Sequence, residues 1–132
     1  MLLRESDSPP SFNKTSSGGH FKKKNPSVPI ETLENNWVTD TKIVYIGKAG
    51  QLGKPPTIKQ RLKQYLDFGA GIPVGHWGGR YIWQLSDAED LIVCWKATKG
   101  NDPKLVESDL IDNFITAHST LPFANLKKGK KG

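Results

Sequence analysis

The chain has 132 residues, 36% of them hydrophobic and 24% charged, with a formal net charge of +6. That length supports one hydrophobic core and excludes a second. No apolar run approaches the ~18 residues of a membrane span, "MLLRESD" turns acidic too early for a secretory signal, and a single cysteine excludes an intramolecular disulfide.

Residues 1–29 are dominated by Ser, Pro, Gly, Asn and Lys and show neither a strand nor a helix period. They are expected to form a polar arm or insertion, a long loop without packed structure. Residues 30–126 carry the periodic segments and are expected to form the domain proper, followed by a basic tail at 127–132. In "IETLENNW" the apolar residues Ile30, Leu33 and Trp37 recur at helical spacing. "KIVYIG" (42–47) is a β-branched run apolar on both faces, so it is expected to be a central strand with a neighbour on each side.

A glycine-containing loop then leads to "TIKQRLKQYL", where Thr57 and Gln60 form a capping-box pair. Ile58, Leu62, Tyr65 and Leu66 make one apolar stripe, with Arg61 at its border. The five glycines of "DFGAGIPVGHWGGR" predict a loop. "RYIWQL" and "LIVCWKAT" predict two strands joined through "SDAED", with Cys94 buried in the second as an inert thiol. Asp102 and Pro103 predict the start of a last helix, whose core face is Val106, Leu110, Phe114 and Ala117, widened by Ile111 and Ile115. The expected class is α+β: a small, mainly antiparallel central sheet flanked by helices.

Several residues invite chemistry. Glu107 sits three and four positions before Leu110 and Ile111, so its carboxylate lies along the apolar stripe and needs a cation. That cation is either Arg61 or Arg80 in an ion pair, or a divalent metal, for which an oxygen ligand beside phosphate suits Mg²⁺ or Mn²⁺. "GKAGQLGK" is not a phosphate-binding P-loop, because five residues separate Gly47 from Gly53 and Pro55 follows Lys54. His20, His76 and His118 have no zinc spacing. His76, in the glycine-flanked "GHWGGRY", is expected to be exposed or mobile, where a neutral imidazole can exchange a proton. The basic excess favours a polyanionic partner, and Lys127 and Lys128 in "LKKGKKG" read either as a solvated tail or as phosphate contacts.

"VYIGKAG", followed by the helix with "QRLKQY", a later helix with Glu107 and an asparagine in "PFANLK", resembles the GIY-YIG nuclease family over residues 42–126. The resemblance implies a metal-dependent endonuclease that hydrolyses nucleic-acid, chiefly DNA, phosphodiesters with one Mg²⁺ or Mn²⁺, while the single cysteine and the absence of a signal or span in this sequence make a cytoplasmic setting the expectation. It implies that Tyr45, Arg61, His76, Glu107 and Asn125 are catalytic, that Glu107 holds the metal and that Lys48 occupies a helper position; Arg80, Lys127 and Lys128 are expected substrate contacts on their charge. A phenol of lowered pKa at Tyr45 would polarise the attacking water. The Gly-Ile-Tyr half of the signature is missing. "MLLRE" is read as the stump of its strand and the polar arm as an insertion, which leaves Tyr45 or His76 to serve as general base. The alternatives are a non-catalytic nucleic-acid-binding module on the same scaffold, and a partner-binding domain in which Arg61 and Glu107 are a buried pair.

Overall fold

In the computed structural model residues 1–126 are described. The architecture is mixed α+β, built on a three-stranded antiparallel sheet. Its strands are β1 (Leu2–Leu3), β2 (Ile43–Tyr45) and β3 (Ile92–Val93), in the order β2-β1-β3. The helices are α1 (Ile30–Asn36), α2 (Ile58–Gly69) and α3 (Pro103–His118). Short 3₁₀ segments occupy Phe21–Lys23, Trp77–Gln84 and Ala88–Asp90.

The central strand is therefore β1, not the Tyr-Ile-Gly strand. Leu2 lies opposite Tyr45 on one side and Val93 on the other. Arg4 N–H extends the pairing by donating to Lys42 O at 2.8 Å. The outer edge of β2 is closed by the end of the chain. Ala124 N–H donates to Val44 O at 2.8 Å, and the Asn125 side chain bonds both the N–H and the C=O of Ile46. An exposed apolar edge invites strand addition, and residues 124–125 remove that hazard from β2. β3 is the open edge, with Ile92 and Val93 both exposed.

The expected hairpin of "RYIWQL" and "LIVCWKAT" does not form. Trp77–Gln84 is a 3₁₀ segment, and only Ile92–Val93 of the second run is a strand. Ile82, Trp83, Gln84 and Leu85 are buried in succession. A half-covered strand would alternate instead, so the segment turns inside the core and does not lie on a sheet face. Cys94 is exposed, not buried, although its backbone continues the pairing of β3 with the N-terminus through Met1.

The first long segment has little regular structure, yet it packs. Gln84 is completely buried and its amide clamps the segment at two places. Oε1 accepts from Val28 N–H at 2.8 Å, while Nε2 donates to Val28 O at 2.9 Å and Asn13 O at 3.1 Å. Buried Arg4 donates to Asp87 at 3.0 Å and to Ser8 O at 2.7 Å, with its guanidinium 5.2 Å from the Trp37 ring. Phe12, Trp37, Phe123 and Tyr81 join in one aromatic cluster. A polar sequence thus folds onto the body through a few satisfied anchors.

The helices position the site. Thr57 and Gln60 form the reciprocal capping box at the start of α2, a device worth about 1 kcal/mol. The buried face of α2 is Tyr65, Phe68 and Gly69, while Leu66 is exposed. The stripe is rotated by about one residue from the expected one, because Phe68 fills the larger core beside Trp83 and Ile82. Asp102 caps α3 by accepting from Lys104 N–H at 3.0 Å, with Pro103 in the first turn. Ile111 and Phe114 of α3 pack with Ile46 and Val38 in a second, smaller core. Ala117, expected on that face, is exposed. Among the described residues no helix is long and apolar enough to cross a membrane.

Candidate active site

Tyr45, Lys48, Arg61, His76 and Glu107 all line one cleft of ≈ 380 Å³. They come from the end of β2, the loop after it, α2, the loop before the 3₁₀ segment, and α3. Tyr45 and Glu107 also line a neighbouring groove of ≈ 470 Å³, together with Arg80 and Asn125. Glu107 is the one carboxylate on either lining, and it stands among the cations Lys48, Arg61, Lys96 and Arg80.

Two glycines make this possible. A Cβ at Gly47 would stand 2.6 Å from Tyr45 Cε1 and 2.9 Å from its hydroxyl. The phenol therefore folds back over the backbone immediately after its own strand, which only glycine permits. A Cβ at Gly79 would meet His76 Cε1 at 2.6 Å and Nδ1 at 2.9 Å. Tyr-x-Gly and His-x-x-Gly are here steric pairs, each glycine leaving room for a ring.

His76 is buried at 3% exposure, not exposed or mobile as its glycine-rich surroundings suggested. Its ring centroid is 5.3 Å from that of Tyr65, 6.1 Å from Tyr45 and 6.3 Å from Phe68. Burial first, and then the Arg61 charge, lower its pKa to about 4, so the imidazole is neutral near pH 7. Nδ1 is buried and has no hydrogen-bond partner among the described residues.

Tyr45 corrects a second expectation. Burial raises its pKa above the usual phenol value, and although the Arg61 charge and hydrogen bond oppose this, they do not overcome it. The phenol is a hydrogen-bond donor at neutral pH, not a phenolate. Burial likewise raises the Glu107 carboxyl, with Lys48 and then Arg61 pulling it back.

Arg61 is held by its own helix and by the following loop. Nη1 donates to Gln64 Oε1 at 3.0 Å and to Gly75 O at 2.9 Å. Among the described residues neither Arg61 nor Arg80 forms a close ion pair with Glu107. Arg80 lies 4.7 Å above the Trp77 ring and donates to Trp77 O at 3.3 Å. Lys48 Nζ donates to Gly50 O at 2.8 Å. Asn125 uses its amide to clamp Ile46 at 2.9 and 2.8 Å, which sets the position of the chain directly after Tyr45. Lys127 and Lys128 lie outside the described residues.

Tyr65 and Trp95 also line the cleft. Tyr65 reads from its spacing as core, and the one hint of more is that it stands one turn after Arg61. No group of three or more His, Cys, Asp or Glu suited to a metal occurs among the described residues. A scan against protein-family models found no match, and neither did searches of curated proteins and of solved structures.

Proposed function

We propose that the chain is a metal-dependent endonuclease acting on nucleic-acid, chiefly DNA, phosphodiesters, as its resemblance to the GIY-YIG nucleases implies. The observation that carries this reading is the convergence of Tyr45, Arg61, His76 and Glu107 on one cation-lined cleft. A partner-binding domain does not need an arginine that, among the described residues, has no close acidic partner in a cleft it shares with Glu107.

The donor set fits Mg²⁺ or Mn²⁺ and not zinc. A single carboxylate, Glu107, completed by water and substrate phosphate, is the usual manner of holding Mg²⁺, whereas zinc requires a set of N and S ligands. When bound, such a metal stabilises negative charge on the phosphate and the leaving oxygen. The chain's own groups supply the rest. Arg61 has Nη1 engaged by Gln64 and Gly75 and also hydrogen-bonds the Tyr45 phenol, and its remaining N–H groups are available to phosphate. Tyr45, protonated, donates a hydrogen bond to the same group. His76, neutral near pH 7 and on the lining of the cleft, accepts the proton of the attacking water as the bond to the leaving oxygen breaks. Asn125 and Gln64 are positioning residues for Tyr45 and Arg61.

The test is conversion of supercoiled plasmid to nicked and linear forms with Mn²⁺ or Mg²⁺, for the wild type and Glu107→Gln. Metal-dependent conversion by the wild type, lowered about a thousandfold or more in the variant, is the expected result. Equal rates would remove Glu107 from the chemistry. Plasmid binding with no conversion by either protein would make the chain a binding module.

A further inference from the structure

Trp95 is the most exposed of the large hydrophobic residues, at 69%. A tryptophan so exposed is unusual for a folded surface. Its ring makes no aromatic or cation–π contact among the described residues, unlike those of Trp37, Trp77 and Trp83. It is not on a remote face either. Trp95 follows β3 by two residues, and the chain there forms one wall of the cleft that holds Tyr45, Arg61 and Glu107. Lys96, beside it, lines the same wall, and Lys48 stands on the loop after β2.

We infer that Trp95 is a stacking platform for an unpaired nucleobase, which makes single-stranded or locally unpaired nucleic acid the preferred substrate of the cleft. The inference rests on the nucleic-acid reading above. An aromatic face beside cations is the chemistry that holds single strands: phosphates meet the positive groups while a base lies on the ring. In an intact duplex each base is covered on both sides by its neighbours, so a lone exposed indole finds no free face. A cleft reading duplex DNA by charge alone has no use for Trp95. A single strand running past Tyr45 and Glu107 does, because one stacked base fixes where the adjoining phosphate lies. The open β3 edge next to Trp95, with Ile92 and Val93 exposed, leaves the approach to the indole clear.

The experiment measures binding without cleavage, by fluorescence anisotropy in EDTA. The probes are labelled 12-nucleotide poly-dT and poly-U strands, the same DNA backbone with abasic sites, and a blunt DNA duplex. Trp95→Ala is expected to weaken binding to both base-bearing single strands by about tenfold. It should leave the abasic strand, the duplex and the salt dependence unchanged, because no phosphate-binding charge is removed. Trp95→Phe should restore most of the loss. An effect confined to poly-dT or to poly-U would narrow the platform to that sugar and still support it. Equal losses on abasic and base-bearing strands, or no loss at all, would overturn the platform while leaving the nuclease reading intact. A change in sedimentation of Trp95→Ala without a change in strand binding would assign the indole to self-association and overturn it too. If the wild type bound none of the probes, the nucleic-acid reading would fall, and the platform with it.

Discussion

Two regions of this molecule bury polar groups, and they use them differently. Around Gln84, where the long N-terminal segment meets the body, the anchoring side chains find partners: the amide makes three hydrogen bonds and Arg4 is paired with Asp87, although Asp87 Oδ1 and Trp83 Nε1 are buried without a partner among the described residues. Around His76, less than one helix length away in sequence, a buried ring nitrogen has no partner and Arg61 no close acidic one among the described residues. Unsatisfied buried groups cost stability, and both regions carry some; the difference is that Gln84 and Arg4 are engaged by the fold, whereas on the proposed nuclease reading Arg61 and His76 are left for a substrate. On that reading the first region anchors the N-terminal segment and the second holds groups for a substrate.

The sharpest way to break this contrast is His76→Phe. The phenylalanine ring can keep the contacts with Tyr65 and Phe68 and carries no orphaned nitrogen, so unfolding free energy should change by less than about 1 kcal/mol. Cleavage should fall by about 10²–10⁴ if the imidazole is the base. Urea denaturation and plasmid cleavage on the same preparation give both values. A variant that unfolds readily yet cleaves normally when folded would reverse the assignment.

The pH dependence of stability is the next largest effect. The folded-state pKa of His76 lies near 4, below the unfolded value of 6.5, so between these values the unfolded chain binds the extra proton. Stability from this group is full above pH 6.5 and is lost as pH falls toward 4, by on the order of 3 kcal/mol. Glu107, whose carboxyl is raised, acts in the opposite sense, because its protonation in that range favours the folded state. The His76 contribution is therefore read as the difference between wild type and His76→Phe in denaturation from pH 7 to 4.5. Parallel curves would mean that the imidazole is not held neutral by the fold.

Gln84→Leu should act in the reverse manner to His76→Phe. It strands Val28 N–H, Val28 O and Asn13 O in a buried site, at a cost of about 2–3 kcal/mol. Cleavage measured well below the melting temperature should stay within about twofold. The smallest effect separates the two arginines. Arg4→Lys should lower stability by about 1–2 kcal/mol through the lost fork on Asp87 and Ser8, with normal cleavage. Arg61→Lys should leave the melting curve alone and slow cleavage about tenfold, because lysine cannot span Gln64, Gly75 and phosphate together. Identical profiles for these two variants would erase the distinction between the regions.

Local chemistry was legible wherever it depends on near neighbours in the chain. The α2 capping box and the Asp102–Pro103 start of α3 hold in the structure, and the spacing of Ile30, Leu33 and Trp37 does mark a helix, although Ile30 is exposed and Trp37 is its extended C-cap. The same spacing argument put Arg61 at the border of its buried stripe and Glu107 along an apolar face, and both reach the cleft. Leu66 and Ala117 failed because a stripe's width is decided by what packs against it, and their positions meet no partner. "RYIWQL" failed because its apolar run is buried on all sides, a pattern that strand and turn share.

Residue identity and spacing along the chain were sufficient for which groups could do chemistry, since charge, donor count and helical phase are local properties. They could not set the state of those groups. Whether His76 is exposed or buried, whether Tyr45 is more or less acidic than a free phenol, and whether Arg61 is paired depend on the rings and charges brought from distant segments. Strand order is likewise a tertiary property. A two-residue strand at the N-terminus became the centre of the sheet because both β2 and β3 find in it their antiparallel partner, while Asn125, 79 positions beyond Ile46, closes the edge that remained.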